Sequence, residues 1–446
     1  MNRFDLLLIG NAAIALVALY QLRVCTLLLA GNNALVSLSL GSIQRYGPPA
    51  SEAFLPVYVF SDENLSTAFV VMAISLASLV VFTIVSARRR VRIGPDAPAV
   101  PRPVLIAIAV YLVLFAASTS TVLTGTYVAG QETRYDMNVG GLHALICSLV
   151  VYELVRRRLL FLISARKAFF VIFVVFAAIG YAKGGTGFPT GYLVVSAVLM
   201  LPHSGAARRL RNMARIAGAL GIVLFLSLMV RTVRASLHEE GLGAVRAFVE
   251  GATKSEAGRE TRSEGLEGTA NATQSATHIL ECATLYDGGV SREWRSIYDV
   301  VEYTFKPSFL MRTFGWKRSI EGAWELRDHF YHGGGLNVLG EFYWNGGFLC
   351  VAIMATALSF FCFVIDRKWR ASPFWLLMLT QFAPPFLMGY GYGVAHASRG
   401  AINGLLVAVV YKGLSAISIG KFAGASKPDS VANPAASPAV GGCQIH

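Results

Sequence analysis

The feature that most constrains this chain is a series of apolar runs of bilayer length, separated by short clusters of basic residues. About 20 apolar residues cross the hydrocarbon core as a helix, and eleven stretches qualify: 4–21, 24–42, 67–86, 103–123, 139–155, 168–182, 188–202, 216–233, 337–365, 373–394 and 400–418. Composition agrees. Of the 446 residues, 54% are hydrophobic and 15% charged, against about 25% charged in soluble domains, and the mean hydropathy is +0.54. A cytosolic enzyme, a disordered chain and a disulfide-stapled secreted module are excluded. The second stretch is the weakest, because Gly31-Asn32-Asn33 interrupts it; as a re-entrant or tilted piece it would lower the count to ten. The expected fold is all-α, a polytopic bundle of 10–11 transmembrane helices.

The formal charge of +13 is unevenly placed. Between Arg234 and Gly335 there are 12 basic and 15 acidic residues, and elsewhere 27 basic and 11 acidic. The positives cluster at 88–92, 156–158, 208–215 and 367–370. Membrane insertion keeps such clusters in the cytoplasm, which leaves 46–66, 124–138, 183–187, 234–336 and 395–399 outside. Hairpin tips between spans do not form the single basic face that nucleic-acid binding needs. The N-terminal stretch lacks a small-residue cleavage site after a short apolar region, so it is expected to remain as a span. Six cysteines contain no Cys-x-x-Cys pair, so neither a zinc site nor a disulfide framework is expected.

The chain therefore divides into N-terminal helices (1–233), a large external loop (234–336), C-terminal helices (337–419) and a disordered cytoplasmic tail (420–446). The first half of the loop is rich in charge and is expected to be solvated, partly helical or mobile. The second half interleaves Trp294, Tyr298, Tyr303, Phe305, Phe309, Phe314, Trp316 and Trp324 with Arg292, Arg295, Lys306, Arg312, Lys317 and Arg318. Such a segment can pack on the outer membrane face and present cations there. Long loops of this kind are usually functional or disordered.

Glu341 stands where this loop returns into the bilayer, in Gly333-Gly334-Gly335-Leu336-Asn337-Val338-Leu339-Gly340-Glu341-Phe342-Tyr343-Trp344-Asn345-Gly346-Gly347. A carboxylate at that depth is costly, which makes it a functional candidate. It would equally serve to cap the returning chain or to pair with an arginine that fixes the helix. Asn345 follows four residues later, on the same helix face. Upstream lie Asp328, His329 and His332, and a histidine at the water–membrane boundary can take a proton from a hydroxyl near neutral pH. Downstream, His396, Arg399 and Asn403 share one face at the start of the last apolar stretch, a ready anion site. Pro384-Pro385 should kink the span before it. Arg134 and the Lys183-Gly184-Gly185-Thr186-Gly187 hairpin add outward cations, and Asp62-Glu63 is a weak acidic pair. Cations, aromatics and a sunken carboxylate on one face suit a carbohydrate that carries a phosphate or diphosphate. Arg399, Arg295 and Arg312, with Arg134 and His396, are the diphosphate candidates. His332 is the candidate base with Glu341 orienting it, or the roles are exchanged. Tyr343, Asn345 and Trp316 are candidates for sugar contact.

The pattern of glycines, Glu341, an aromatic, Asn345 and Gly346-Gly347 resembles that of the Wzy-type O-antigen and oligosaccharide repeat-unit polymerases of bacterial inner membranes. Ala397-Ser398-Arg399-Gly400 and the lysine-glycine hairpin fit the same pattern, although Thr186 stands where an arginine is expected. The resemblance implies a metal-free and cofactor-free glycosyltransferase in the inner membrane with its site facing the periplasm. Donor and acceptor would be undecaprenyl-diphosphate-linked oligosaccharides, and a chain-length regulator protein would be a partner. O-antigen ligase is the nearest alternative, and a lipid-linked oligosaccharide transporter or a structural assembly subunit are the others. A transporter would favour charge near mid-bilayer and internal symmetry, whereas here polar residues gather at the rim.

Overall fold

A computed structural model of the chain describes residues 2–48, 55–85, 99–100, 102–119, 140–183, 267–305, 322–330, 336–369, 372–389 and 393–394, with single positions between 192 and 199 and between 402 and 409. Among the described residues the structure is all-helical, with no β-strand. The helices are α1 (Arg3–Gln21), α2 (Val24–Tyr46), α3 (Asp62–Val85), α4 (Arg102–Thr119), α5 (Gly140–Leu159), α6 (Ala165–Lys183), α7 (Glu267–Asp287), α8 (Arg295–Phe305), α9 (Gly322–Phe330), α10 (Val338–Lys368) and α11 (Pro373–Gly389), with a 3₁₀ turn at Val57–Phe60. Four of them, α1, α2, α3 and α10, are long and apolar enough to cross a membrane. The chain is a multi-pass membrane protein. The rest of the expected count of ten or eleven spans rests partly on residues outside the described set, as do the tail and the first half of the loop up to 266.

The stretch 24–42 is a continuous α-helix through Gly31-Asn32-Asn33 and is the central span. In its apolar window 67% of residues are buried, against 28% in that of α1. Its low hydropathy reflects protein neighbours rather than lipid: Asn33 donates to Ser75 Oγ of α3 at 2.9 Å, and polar pairs of this sort join helices inside a bilayer. No side chain of its own caps its N-terminus. Asp366, near the end of α10, does so instead: it accepts from the Cys25 N–H at 2.9 Å, the Thr26 N–H at 2.8 Å and the Thr26 hydroxyl at 2.7 Å. A carboxylate at the positive end of a helix satisfies its free donors and its dipole together.

The proline pair Pro384-Pro385 predicts a kink or a break, and α11 runs through it to Gly389 as one helix, without a break. The carbonyl left without a helical donor by Pro384 is that of Thr380. It accepts from Ser148 Oγ of α5 at 3.0 Å, so a neighbouring helix replaces the missing bond.

α7 lies mostly in the half of the loop expected to be solvated or partly helical; it is helical, but not solvated. It falls within the segment read as an external loop, yet Ala276, Ile279, Leu280 and Ala283 are fully buried, and it packs against α2, α3 and α10. Cys282 is buried on it too, and burial pushes its thiol well above the ordinary value.

Three contacts orient the bundle. Asp5 pairs with Arg45, Arg3 donates to Ser66 Oγ at 2.9 Å, and Asn64 donates to Thr284 Oγ1 at 2.8 Å. The start of α1, the end of α2, the start of α3 and the end of α7 therefore share one end, together with the head of α10. Arg23, Arg367 and Lys368 lie at the other end.

Replacing Asp366 by alanine removes all three bonds at the head of α2 and should cost about 1–3 kcal/mol. Asp366→Asn should cost less, because the amide oxygen still accepts. Thermal unfolding in detergent reads both, with the transition of Asp366→Ala several degrees lower.

Candidate functional site

The head of α10 is built by its own sequence. Asn337 caps it, accepting from the Leu339 and Gly340 N–H groups at 2.8 and 3.3 Å, while its amide donates to Ser275 Oγ of α7 at 2.7 Å. Gly340 faces α7 so closely that a Cβ would fall 3.0 Å from Ile279 Cα. Tyr343 donates to Asp287 Oδ1 at 2.8 Å. At Gly346-Gly347 the helix breaks. Gly347 has φ +61°, and a Cβ there would meet Tyr286 Oη at 2.7 Å, so glycine is required on both counts. Residues 338–345 thus form a short capped helix, set off by this break from the long apolar remainder.

Glu341 projects from that short helix and is 2% exposed. Its Oε1 accepts from Arg292 Nη1 at 3.1 Å and from the Ser296 hydroxyl. Its Oε2 accepts from the Val394 N–H at 2.7 Å. Gly393, at φ +92°, lies directly over the carboxylate, where a Cβ would be 2.7 Å from Oε2. Arg292 is fully buried at the hub: Nε donates to Glu325 of α9 at 3.0 Å, Nη2 to Asp299 of α8 at 2.8 Å, and Nη1 also to Ser296 Oγ at 3.1 Å. Its guanidinium lies 5.4 Å from the centre of the Trp344 ring. Burial opposes its charge, but Glu341, Asp299 and Glu325 outweigh burial and hold its pKa above the ordinary arginine value. Asn345 completes the network, donating to Ser296 Oγ at 2.6 Å and accepting from the Ser296 N–H at 3.1 Å.

Glu341 therefore joins three separate segments: the head of α10, the α7–α8 connection with the start of α8, and the backbone at 393–394. The expected pairing with an arginine that fixes the helix is present, and the partner is Arg292. Arg292 stood among the loop cations of the sequence without being singled out. Its spacing to Ser296 and Asp299 (i, i+4, i+7) was the available signal.

The other candidates separate into two groups. Asn345 and Tyr343 are buried with polar partners, which sets them inside the packing rather than on a sugar-accessible surface. Arg295 is outward, its side chain 68% exposed and 3.8 Å from Glu325. Asp328 and His329 on α9 are exposed, and the His329 ring stands edge-on to Trp344 at 6.3 Å. Trp344, held by its indole N–H to the Val290 carbonyl at 2.8 Å, thus touches the buried arginine and neighbours an exposed histidine. Asp62 and Glu63 open α3. His332, Arg134, Arg312, Trp316, His396 and Arg399 lie outside the described residues, as does the glycine hairpin after Lys183.

No family model, no curated protein and no solved structure matches the chain.

Truncating Arg292 to methionine strands buried carboxylates and should cost about 3–5 kcal/mol. Combining it with Glu341→Gln should cost clearly less than the two single changes added together, because the pair is coupled. Unfolding in detergent across the double-mutant cycle measures that coupling, and strict additivity would refute the hub.

Proposed function

We propose that the chain is a glycosyltransferase of a bacterial inner membrane that polymerises undecaprenyl-diphosphate-linked oligosaccharide units on the periplasmic face, without metal or cofactor. The observation that supports this reading best is the Glu341 junction. It ties the α7–α8 connection, with Arg295 exposed next to it, to the backbone leading into His396 and Arg399. In this reading the two cation-bearing segments line one rim. The bundle end that carries Arg23, Arg367 and Lys368 would be cytoplasmic by the retention of basic residues, and the opposite end with the junction periplasmic.

In this reading a sugar hydroxyl of the acceptor unit attacks the anomeric carbon of the donor glycan. The new glycosidic bond forms as the bond to the diphosphate breaks, and the lipid diphosphate leaves. Arg295, Arg399 and Arg312, with Arg134 and His396, stabilise the developing negative charge. A histidine of the 329–332 segment, His332 for preference, takes the hydroxyl proton. Glu341 has all its contacts engaged within the protein, so it positions the site rather than acting as the base. Asn345 and Tyr343 do the same, and Trp316 is the aromatic left for sugar stacking.

The test is a length-resolved product assay with purified protein and a lipid-diphosphate-linked oligosaccharide. A ladder that persists with chelator is expected, and His332→Ala should slow it by about 10²–10⁴-fold. Intact substrate under all conditions would refute polymerisation, and transfer only to an added lipid A–core acceptor would replace it by ligation.

A further inference from the structure

α8 is amphipathic in the opposite sense to a helix of a water-soluble domain. Ser296, Asp299 and Glu302 face inward and are buried, with Ser296 and Asp299 bound to Arg292. Its outer face carries Ile297, Tyr298 and Val301, and Trp294 stands just before its first residue; the four are 41–59% exposed. Ile297 and Tyr298 lie four and three residues before Val301, so the three form one stripe along the helix, and with Trp294 beside them the exposure is a strip and not scattered.

What lies beside the strip identifies its occupant. Trp294 packs against Gly346, where a Cβ would sit 3.5 Å from its ring. Gly346 is two residues before Phe348 and three before Leu349, which are 40% and 69% exposed and begin the outward apolar surface of α10. α10 is a membrane span, so that surface faces lipid, and the strip on α8 extends it past the helix break. Trp294 and Tyr298 are of the types that settle at the headgroup boundary. Arg295 sits between them with its side chain 68% exposed, where a long cationic side chain reaches the phosphates.

We infer that α8 lies in the membrane interface, its Trp294–Val301 strip against the acyl-chain boundary and its polar face turned inward to the Arg292–Glu341 pair. Such an interfacial helix buries its apolar face about 5–10 Å into the headgroup–acyl boundary. The placement is independent of the reaction proposed above. It brings Arg295 to the depth of a lipid phosphate.

The experiment places a nitroxide at Ile297→Cys or Val301→Cys in full-length protein carrying Cys443→Ser, reconstituted in phosphatidylethanolamine–phosphatidylglycerol vesicles. Both side chains are exposed, so the buried polar face stays intact, and the unsubstituted Cys443→Ser protein reports any labelling of the buried cysteines. At both positions oxygen collisions should exceed those of a water-soluble nickel chelate, with a depth just below the headgroups. Chelate collisions in excess would show a face in water and overturn the inference. Shielding from both relaxers would show a face covered by protein and overturn it equally.

Discussion

The Arg292–Glu341 pair is the interaction on which the rest of this end of the molecule depends. Two charges removed from water are stable together only with good geometry and further hydrogen bonds. Here Arg292 finds three carboxylates and a hydroxyl, and Glu341 finds the guanidinium, the Ser296 hydroxyl and a backbone N–H. These partners come from the α7–α8 connection, α8, α9, α10 and the segment before the last apolar stretch. Each of those elements supplies a contact to the buried pair, so the pair ties them together at the head of α10.

That requirement explains features that look unrelated along the chain. Gly340 lets α10 approach α7, and Gly346-Gly347 ends the short helix so that Glu341 and Asn345 turn toward α8 while the rest of α10 packs along α3. Gly393 lets the backbone settle on the carboxylate. Because its polar face is taken up by the hub, α8 has only its apolar face left to present outward, and the neighbouring surface is that of a membrane span. The inverted helix and the buried ion pair are two consequences of one arrangement.

Much of the bundle was legible in the sequence, because a bilayer imposes length and hydropathy on each span separately. The runs at 4–21, 67–86 and 337–365 became α1, α3 and α10 for that reason. Legibility failed where a helix is surrounded by protein. α2 read as weak because Asn33 is matched to Ser75 rather than to lipid. α7 was read as part of a loop because Ala276, Ile279, Leu280 and Ala283 form a modest stripe among polar residues. At the site, the Gly–Glu–aromatic–Asn–Gly-Gly pattern marked Glu341 as important, and pairing with an arginine was one of its three readings. The arginine's identity was hidden, since Arg292 lies 49 residues away and resembles the eleven other cations of residues 234–335 until the chain folds.

By itself, the sequence determined that the chain crosses a membrane repeatedly as helices, and it marked Glu341 as a costly carboxylate beside an apolar run. Both follow from local quantities, the apolar length of a segment and the cost of charge at depth. Only the tertiary structure decided that Glu341 is engaged by Arg292, Ser296 and Val394, that Asn345 and Tyr343 face inward, and that the proline pair in α11 leaves no break. Those outcomes depend on which donor from a distant segment satisfies each buried acceptor, and no local pattern carries that information.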